Sequence, residues 1–97
     1  MRARRVDANH AGIAALLAQL GCSVQDLSGV GEGCPDLLVG VAGQNILIEI
    51  KDGDKPMSRR GFTPAQKLWH ASWRGRAHRV ESAEQALDLV AYYRGRA

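Results

Sequence analysis

The stretch "PDLLVGVAGQNILIEIK", residues 35–51, decides how this chain folds. Ile46, Leu47 and Ile48 read as a strand buried on both faces, yet the run ends on Glu49 and Lys51. Alternation along a strand puts Glu49 and Lys51 on the side of Leu47, with Ile48 and Ile50 on the other. A carboxylate and an ammonium therefore emerge together from an apolar strand. Burying such charges is costly unless they are paired, bound to a metal or used. Upstream, "DLLVGV" (36–41) reads as a strand and "AGQ" as a turn around Gly43. If the two strands form a hairpin there, Asp36 lies across from the end of the 45–51 strand.

Working outward, "ANHAGIAALLAQL" (8–20) carries Ile13, Leu16, Leu17 and Leu20 at helical spacing, with Asp7 as N-cap and Gly21 as stop. "CSVQDL" (22–27) alternates as a short strand, and "SGVGEG" (28–33) is a Gly-rich connector. After residue 51, "DGDKPMSRRG" is a charged loop long enough to be mobile. Thr63, Pro64 and Gln66 then open a helix with a capping box and a proline at the first helical position. Leu68, Trp69 and Trp73 are expected to supply that helix's packing contacts. "AHRV" (77–80) is a fourth strand, and Ser82 caps a last helix whose apolar face is Ala86, Leu87, Val90 and Ala91. The order α-β-β-β-α-β-α predicts a meander, then a helical crossover of the kind that joins parallel strands.

The totals fit one domain. Ninety-seven residues with 45% hydrophobic and 24% charged content predict an ordered globule rather than a disordered chain. The net charge of +3 is modest, but its distribution is not. From Lys55 to Arg79 there are seven basic residues and no Asp or Glu, a candidate phosphate-facing surface or else a solvated face. Cys22 and Cys34 are too few and too far apart for a zinc site and are expected to be buried, reduced thiols. The basic start "MRARRVDANH" has no apolar run that could serve as a signal-peptide core, and no segment could span a bilayer, so the expected location is the cytoplasm. A small α/β domain leaves sheet edges poorly covered, which points to a homodimer.

Two carboxylates and an ammonium converging at one end of a sheet have a specific chemical use. Mg²⁺ takes one or two protein carboxylates, keeps several waters and accepts a substrate phosphate. Such an ion polarises a phosphoryl oxygen and yields a nucleophile from water at neutral pH. A neighbouring lysine can orient that water or stabilise charge building on the phosphorus. The set fits phosphodiester hydrolysis. The plainer reading is an edge strand with a solvent-facing Glu–Lys pair, which the apolar run before Glu49 and the Pro35–Asp36 pair upstream argue against.

"PD" at 35–36, an apolar strand-turn-strand and "EIK" at 49–51 together resemble the PD-(D/E)XK nuclease superfamily, and more closely its small stand-alone VRR-NUC-type and phage-encoded members. "GEGCPDLLVG", "LIEIKDG" and "TPAQ" carry the likeness, which runs from about Asp7 to Val80. The resemblance implies a restriction-endonuclease-like αβββαβ core, here with an extra C-terminal helix, holding a central mixed four-stranded sheet flanked by helices. It implies a Mg²⁺- or Mn²⁺-dependent DNA endonuclease working as a homodimer on structured or branched DNA. Asp36 and Glu49 would be metal ligands with the Ile50 carbonyl as a third, and Lys51 the catalytic lysine. Gln66 falls where such nucleases often carry an active-site Gln, while its capping-box role with Thr63 is equally open.

One departure concerns the first helix, which lacks the Glu that many members add to the metal site. Asn9 or His10 could take that place, with Asp7 as the acidic alternative and a plain surface histidine the other reading of His10. Glu32 reads as a loop residue near the cleft. Arg59 and Arg60, with Lys55 and Lys67, are the expected contacts to the DNA backbone. Trp69 and Trp73 could stack on bases, although their spacing of four on a helix favours core packing for at least one. The reading from another class is a nucleic-acid-binding module without activity; a partner-binding protein with an incidental acidic cluster is a third.

Overall fold

The computed structural model describes residues 7–96. A four-stranded mixed sheet is flanked by three helices: α1 (His10–Gln19), β1 (Ser23–Asp26), β2 (Leu37–Val41), β3 (Gln44–Ile50), α2 (Pro64–Ser72), β4 (Ala77–Val80) and α3 (Ala83–Gly95). The strands lie side by side in chain order. β1–β2 and β2–β3 are antiparallel, and β3–β4 is parallel, with α2 as the crossover. Among the described residues no helix is long and apolar enough to cross a membrane.

The hairpin between β2 and β3 sets the register of everything else. Its two central residues, Ala42 at φ 52° and Gly43 at φ 75°, both occupy the left-handed region that a two-residue turn of matching twist requires. Ala42 adopts it at a cost of about 1–2 kcal/mol, and Gly43 does so without one. From that turn the register runs Val41 opposite Gln44 to Leu37 opposite Ile48. The next step sets Asp36 across from Glu49.

One face of the sheet is covered by α1 and α3. Leu37, Val39 and Val41 of β2, Ile46, Ile48 and Ile50 of β3, and Val80 of β4 meet Ile13 and Leu17 of α1 and Ala86, Val90 and Tyr93 of α3. Each of the Val, Leu and Ile side chains among them contributes roughly 1.5–3 kcal/mol when fully buried. α1 ends as its sequence predicts: Gly21 at φ 86° follows the helix, its amide bonds to Ala18 and that of Cys22 bonds to Leu17, the Schellman arrangement. Its start differs. Asn9 rather than Asp7 is the N-cap, and the Asp7 carboxylate reaches Lys55 at 2.9 Å instead.

α3 buries Ala86, Val90 and Tyr93, a stripe spaced four and three residues apart, while Leu87 and Ala91 stay exposed. The expected face was thus rotated, because Tyr93 brings the largest apolar surface and fixes which side turns inward. It packs on its own domain: Tyr93 is 3% exposed and its hydroxyl bonds to His78 of β4. Cys22 is buried and Cys34 only half-buried, against the expectation of two buried thiols. Burial pushes the Cys22 thiol above its ordinary pKa, with Arg94 opposing.

The opposite face of the sheet is held differently. α2 has the predicted start, with Pro64 in the first turn and a complete capping box between Thr63 and Gln66. Its packing is not as expected. Gln66 is the buried residue of this helix, whereas Leu68 is 74% and Trp73 48% exposed. A polar side chain is the buried anchor of α2, while of the aromatic pair Trp69 is half-buried and Trp73 is exposed.

His70 of α2 and His78 of β4 both have pKa values pushed below the ordinary 6.5, in each case first by burial, then by Lys51 for His70 and Arg76 for His78. The unfolded chain therefore takes up protons that the folded chain resists. The stability tied to these histidines is present above about pH 6.5 and is lost as pH falls through 6.5 toward the depressed folded values. The melting temperature is expected to drop between pH 7.5 and 5.5, and His70→Phe, which keeps the ring, should flatten part of that slope. A melting temperature that holds or rises over this range contradicts the assignment.

Candidate active site

The described residues hold five buried polar or charged side chains: His10, Asp36, Glu49, Lys51 and Gln66. Four of them, all but His10, line one pocket of about 410 Å³. Three elements bring them there. Asp36 precedes β2, Glu49 lies near the end of β3 with Lys51 directly after the strand, and Gln66 sits in the first turn of α2. The charged pair that broke the apolar run of β3 is thus 2% and 8% exposed, not a solvent-facing pair.

The contacts are specific. The Ile50 amide donates to Asp36 Oδ2 at 2.8 Å, fixing the carboxylate against the neighbouring strand. This bond joins Asp36 to Ile50, the residue whose carbonyl the resemblance names as a ligand. Asp36 also continues the ladder toward β1, its carbonyl accepting from the Leu27 amide at 2.7 Å. Gln66 bridges the other two charges: Lys51 Nζ donates to its Oε1 at 2.7 Å, and its Nε2 donates to Glu49 Oε2 at 3.0 Å. Lys51 Nζ and Glu49 Oε2 are 3.9 Å apart, so the amide lies between an ion pair rather than beside it. The amide's orientation follows from chemistry, since an ammonium needs an acceptor and a carboxylate a donor.

Gln66 Oε1 also accepts from the Thr63 amide at 2.9 Å while the Gln66 amide donates to Thr63 Oγ1 at 3.2 Å. The two roles open in the sequence, cap and site residue, belong to the same side chain. Thr63→Ala is expected to cost about 1 kcal/mol through the cap alone. Gln66→Ala removes cap, bridge and a buried amide together and should cost about 1–3 kcal/mol. Chemical denaturation of both variants separates the roles; equal losses would mean that the bridge to Lys51 and Glu49 adds nothing.

The first helix contributes in an unexpected way. Asn9 Nδ2 donates to the Lys51 carbonyl at 3.0 Å and the Glu81 carbonyl at 3.2 Å, tying together the ends of β3 and β4. His10 is buried, not a surface residue, and faces Asp26 of β1 at 3.3 Å. The Asp26 carboxyl is held below its usual range, chiefly by hydrogen bonds from Ser28 and less by His10. Neither Asn9 nor His10 lines the pocket, whereas Asp7 does, alongside its partner Lys55. Glu32, set at φ 57° between Gly31 and Gly33, lines it as well.

Of the expected backbone contacts, Arg59 and Lys67 are exposed. Arg60 is turned to Glu81 at 3.5 Å, and Arg79 meets the same carboxylate at 2.6 Å. The 52–61 loop is joined to Glu81 by Arg60 and by the Gly53 amide on the Glu81 carbonyl, and it contains a 3₁₀ turn at Met57–Arg59. Two neighbours of Lys51 escaped the sequence reading. The Phe62 ring lies 5.7 Å from Lys51 Nζ and stacks on His70 with centroids 4.4 Å apart. His70, four residues after Gln66, shares its helix face, a spacing that could have pointed to it.

Among the described residues no three His, Cys, Asp or Glu side chains are grouped to hold a metal ion by themselves. The carboxylates of Asp36 and Glu49 are oxygen donors, the ligand type that hard cations such as Mg²⁺ and Mn²⁺ take. No protein-family model, curated protein or solved structure matches the chain.

Proposed function

We propose that this protein is a cytoplasmic, divalent-metal-dependent DNA endonuclease with a restriction-endonuclease-like αβββαβ core, acting as a homodimer on structured or branched DNA. The observation that carries this reading is the concentration of buried charge: Asp36, Glu49 and Lys51 share one pocket with Gln66, and such charge is costly to bury unless it is paired, metal-bound or used. Asp36 and Glu49 would hold the ion, with the Ile50 carbonyl as a further oxygen donor. When bound, the ion supplies charge neutralisation at the scissile phosphate and activation of a water.

The chain's own residues do the rest. Gln66 holds one Glu49 oxygen and the Lys51 ammonium by hydrogen bonds from the same side-chain amide, so neither has to reorganise when substrate arrives. Lys51 presents a positive charge to the pocket and can hold the attacking water or the developing phosphorane oxygen. Exposed Arg59 and Lys67 extend the positive surface beyond the pocket and suit the phosphate backbone.

The test is cleavage of single-stranded, duplex, flapped and four-way-junction DNA with Mg²⁺, Mn²⁺ or EDTA. Metal-dependent cutting supports the reading. DNA that binds but stays intact with either metal makes the non-catalytic binding module the better account. Sedimentation of the free protein tests the dimer.

A further inference from the structure

Four rings connect the candidate site to the surface. Phe62, 5.7 Å from Lys51 Nζ, stacks on His70 at 4.4 Å and 11°. His70 meets Trp69 edge-on at 5.0 Å, and Trp69 stacks on Trp73 at 4.7 Å and 14°. The series starts beside the candidate catalytic lysine and ends on a tryptophan that is 48% exposed. Trp73 is also braced: a Cβ on Gly75 would lie 2.8 Å from its Nε1, so the chain passes tightly against the indole edge.

A half-exposed Trp73 stacked on a half-buried Trp69 is a costly way to finish a small domain, because it leaves apolar area in water that a core would have used. The charge around it says what it suits. The rings lie within the 55–79 segment, which carries seven basic residues and no acidic one. Lys67 and Arg74, on and just beyond the same helix, are exposed. A basic surface with flat aromatic faces matches a polyanion with flat bases, and duplex DNA hides those faces.

From these contacts we infer that the Phe62–His70–Trp69–Trp73 series is a track for an unpaired DNA strand entering or leaving the site, with a base stacking on Trp73. This rests on the nuclease reading for its substrate and narrows it to DNA with a single-stranded segment next to the cut.

The experiment is binding of fluorescently labelled oligo-dT and of a blunt duplex in EDTA, followed by anisotropy, for the parent, Trp73→Leu and Trp73→Phe. Leucine keeps apolar bulk without a π-face, and phenylalanine keeps the face. The expected result is about a tenfold or greater loss of oligo-dT affinity for Trp73→Leu, with Trp73→Phe within threefold of the parent and duplex affinity little changed. Leucine and phenylalanine variants that bind oligo-dT alike overturn the track. So does a Trp73→Leu variant with unchanged affinity that sediments as a monomer where the parent is a dimer, which would make this face an interface between copies. Because EDTA removes any cleavage, oligo-dT binding through Trp73 by a protein that never cuts would defeat the nuclease reading alone.

Discussion

Glu49→Gln and Lys51→Met are each expected to lower the rate of metal-dependent DNA cleavage by about 10³-fold, while the double variant folds as stably as the parent to within about 1 kcal/mol. The two halves of this result come from the same geometry. Glu49 and Lys51 are buried at 2% and 8% exposure, with Gln66 between them. Removing one charge leaves the other desolvated beside an amide, and each single variant should lose about 3–5 kcal/mol. Removing both relieves the desolvation of two ions, and such replacements are often neutral or stabilising. A site kept for catalysis should thus be dispensable for folding.

Metal provides a second readout that needs no substrate. An ion bound by the folded state raises the melting temperature by mass action. Mn²⁺ should raise it for the parent and not for Glu49→Gln. A double variant more than about 3 kcal/mol less stable than the parent would mark the cluster as structural. Unchanged cleavage in both single variants would trace the activity to a contaminant.

The parts of the fold legible in the sequence are those decided by neighbours along the chain. The β2–β3 hairpin follows from two apolar strands around an Ala42–Gly43 turn, and once it closes the register carries Asp36 to Glu49 without further information. Caps at Thr63 and Ser82 are short-range chemistry and appear as expected, each side chain accepting from an amide three residues on. What was not legible depends on partners far away in sequence. Asp7 reads as an N-cap until Lys55 is seen 48 positions later. Nothing near Asn9 in the sequence shows that its Nδ2 donates to the carbonyls of Lys51 and Glu81, 42 and 72 positions on.

Leu68 and Trp73 mislead for a different reason, while Trp69 is half-buried. Hydrophobicity assigns Leu68, Trp69 and Trp73 to a core, but the sheet face under α2 is occupied by Glu49 and Lys51, which demand a polar partner. Gln66 meets that demand and thereby turns the helix, leaving Leu68 and Trp73 toward solvent. The buried charges of the site thus dictate the orientation of the helix that covers them.

That dependence makes Gly33→Ala the most damaging small substitution expected outside the charged residues. Gly33 has φ 80°, and a Cβ there would lie 2.3 Å from the Ala65 carbonyl oxygen and 2.9 Å from the Gln66 amide nitrogen. These are backbone atoms of the first turn of α2 and cannot rotate away. The left-handed conformation alone costs about 1–2 kcal/mol for a residue with a Cβ, and overpacking adds about 1–3 kcal/mol. Gly31 gives the control, since it has φ 79° but nothing within 4 Å of an added Cβ. Gly31→Ala should therefore lose only the conformational part. For a domain of this size each kcal/mol lowers the melting temperature by about 4–8 °C. Gly33→Ala is expected to melt at least about 4 °C below Gly31→Ala, which corresponds to the lower end of the overpacking cost. The strain has one cheap outlet. α2 is anchored through Gln66 rather than by a buried apolar stripe, so its first turn should lift and withdraw Gln66 from Lys51 and Glu49. Cleavage should then fall more than tenfold in Gly33→Ala at temperatures where it is still folded, and much less in Gly31→Ala. Equal activity in the two variants would show that the start of α2 does not set the geometry of the site.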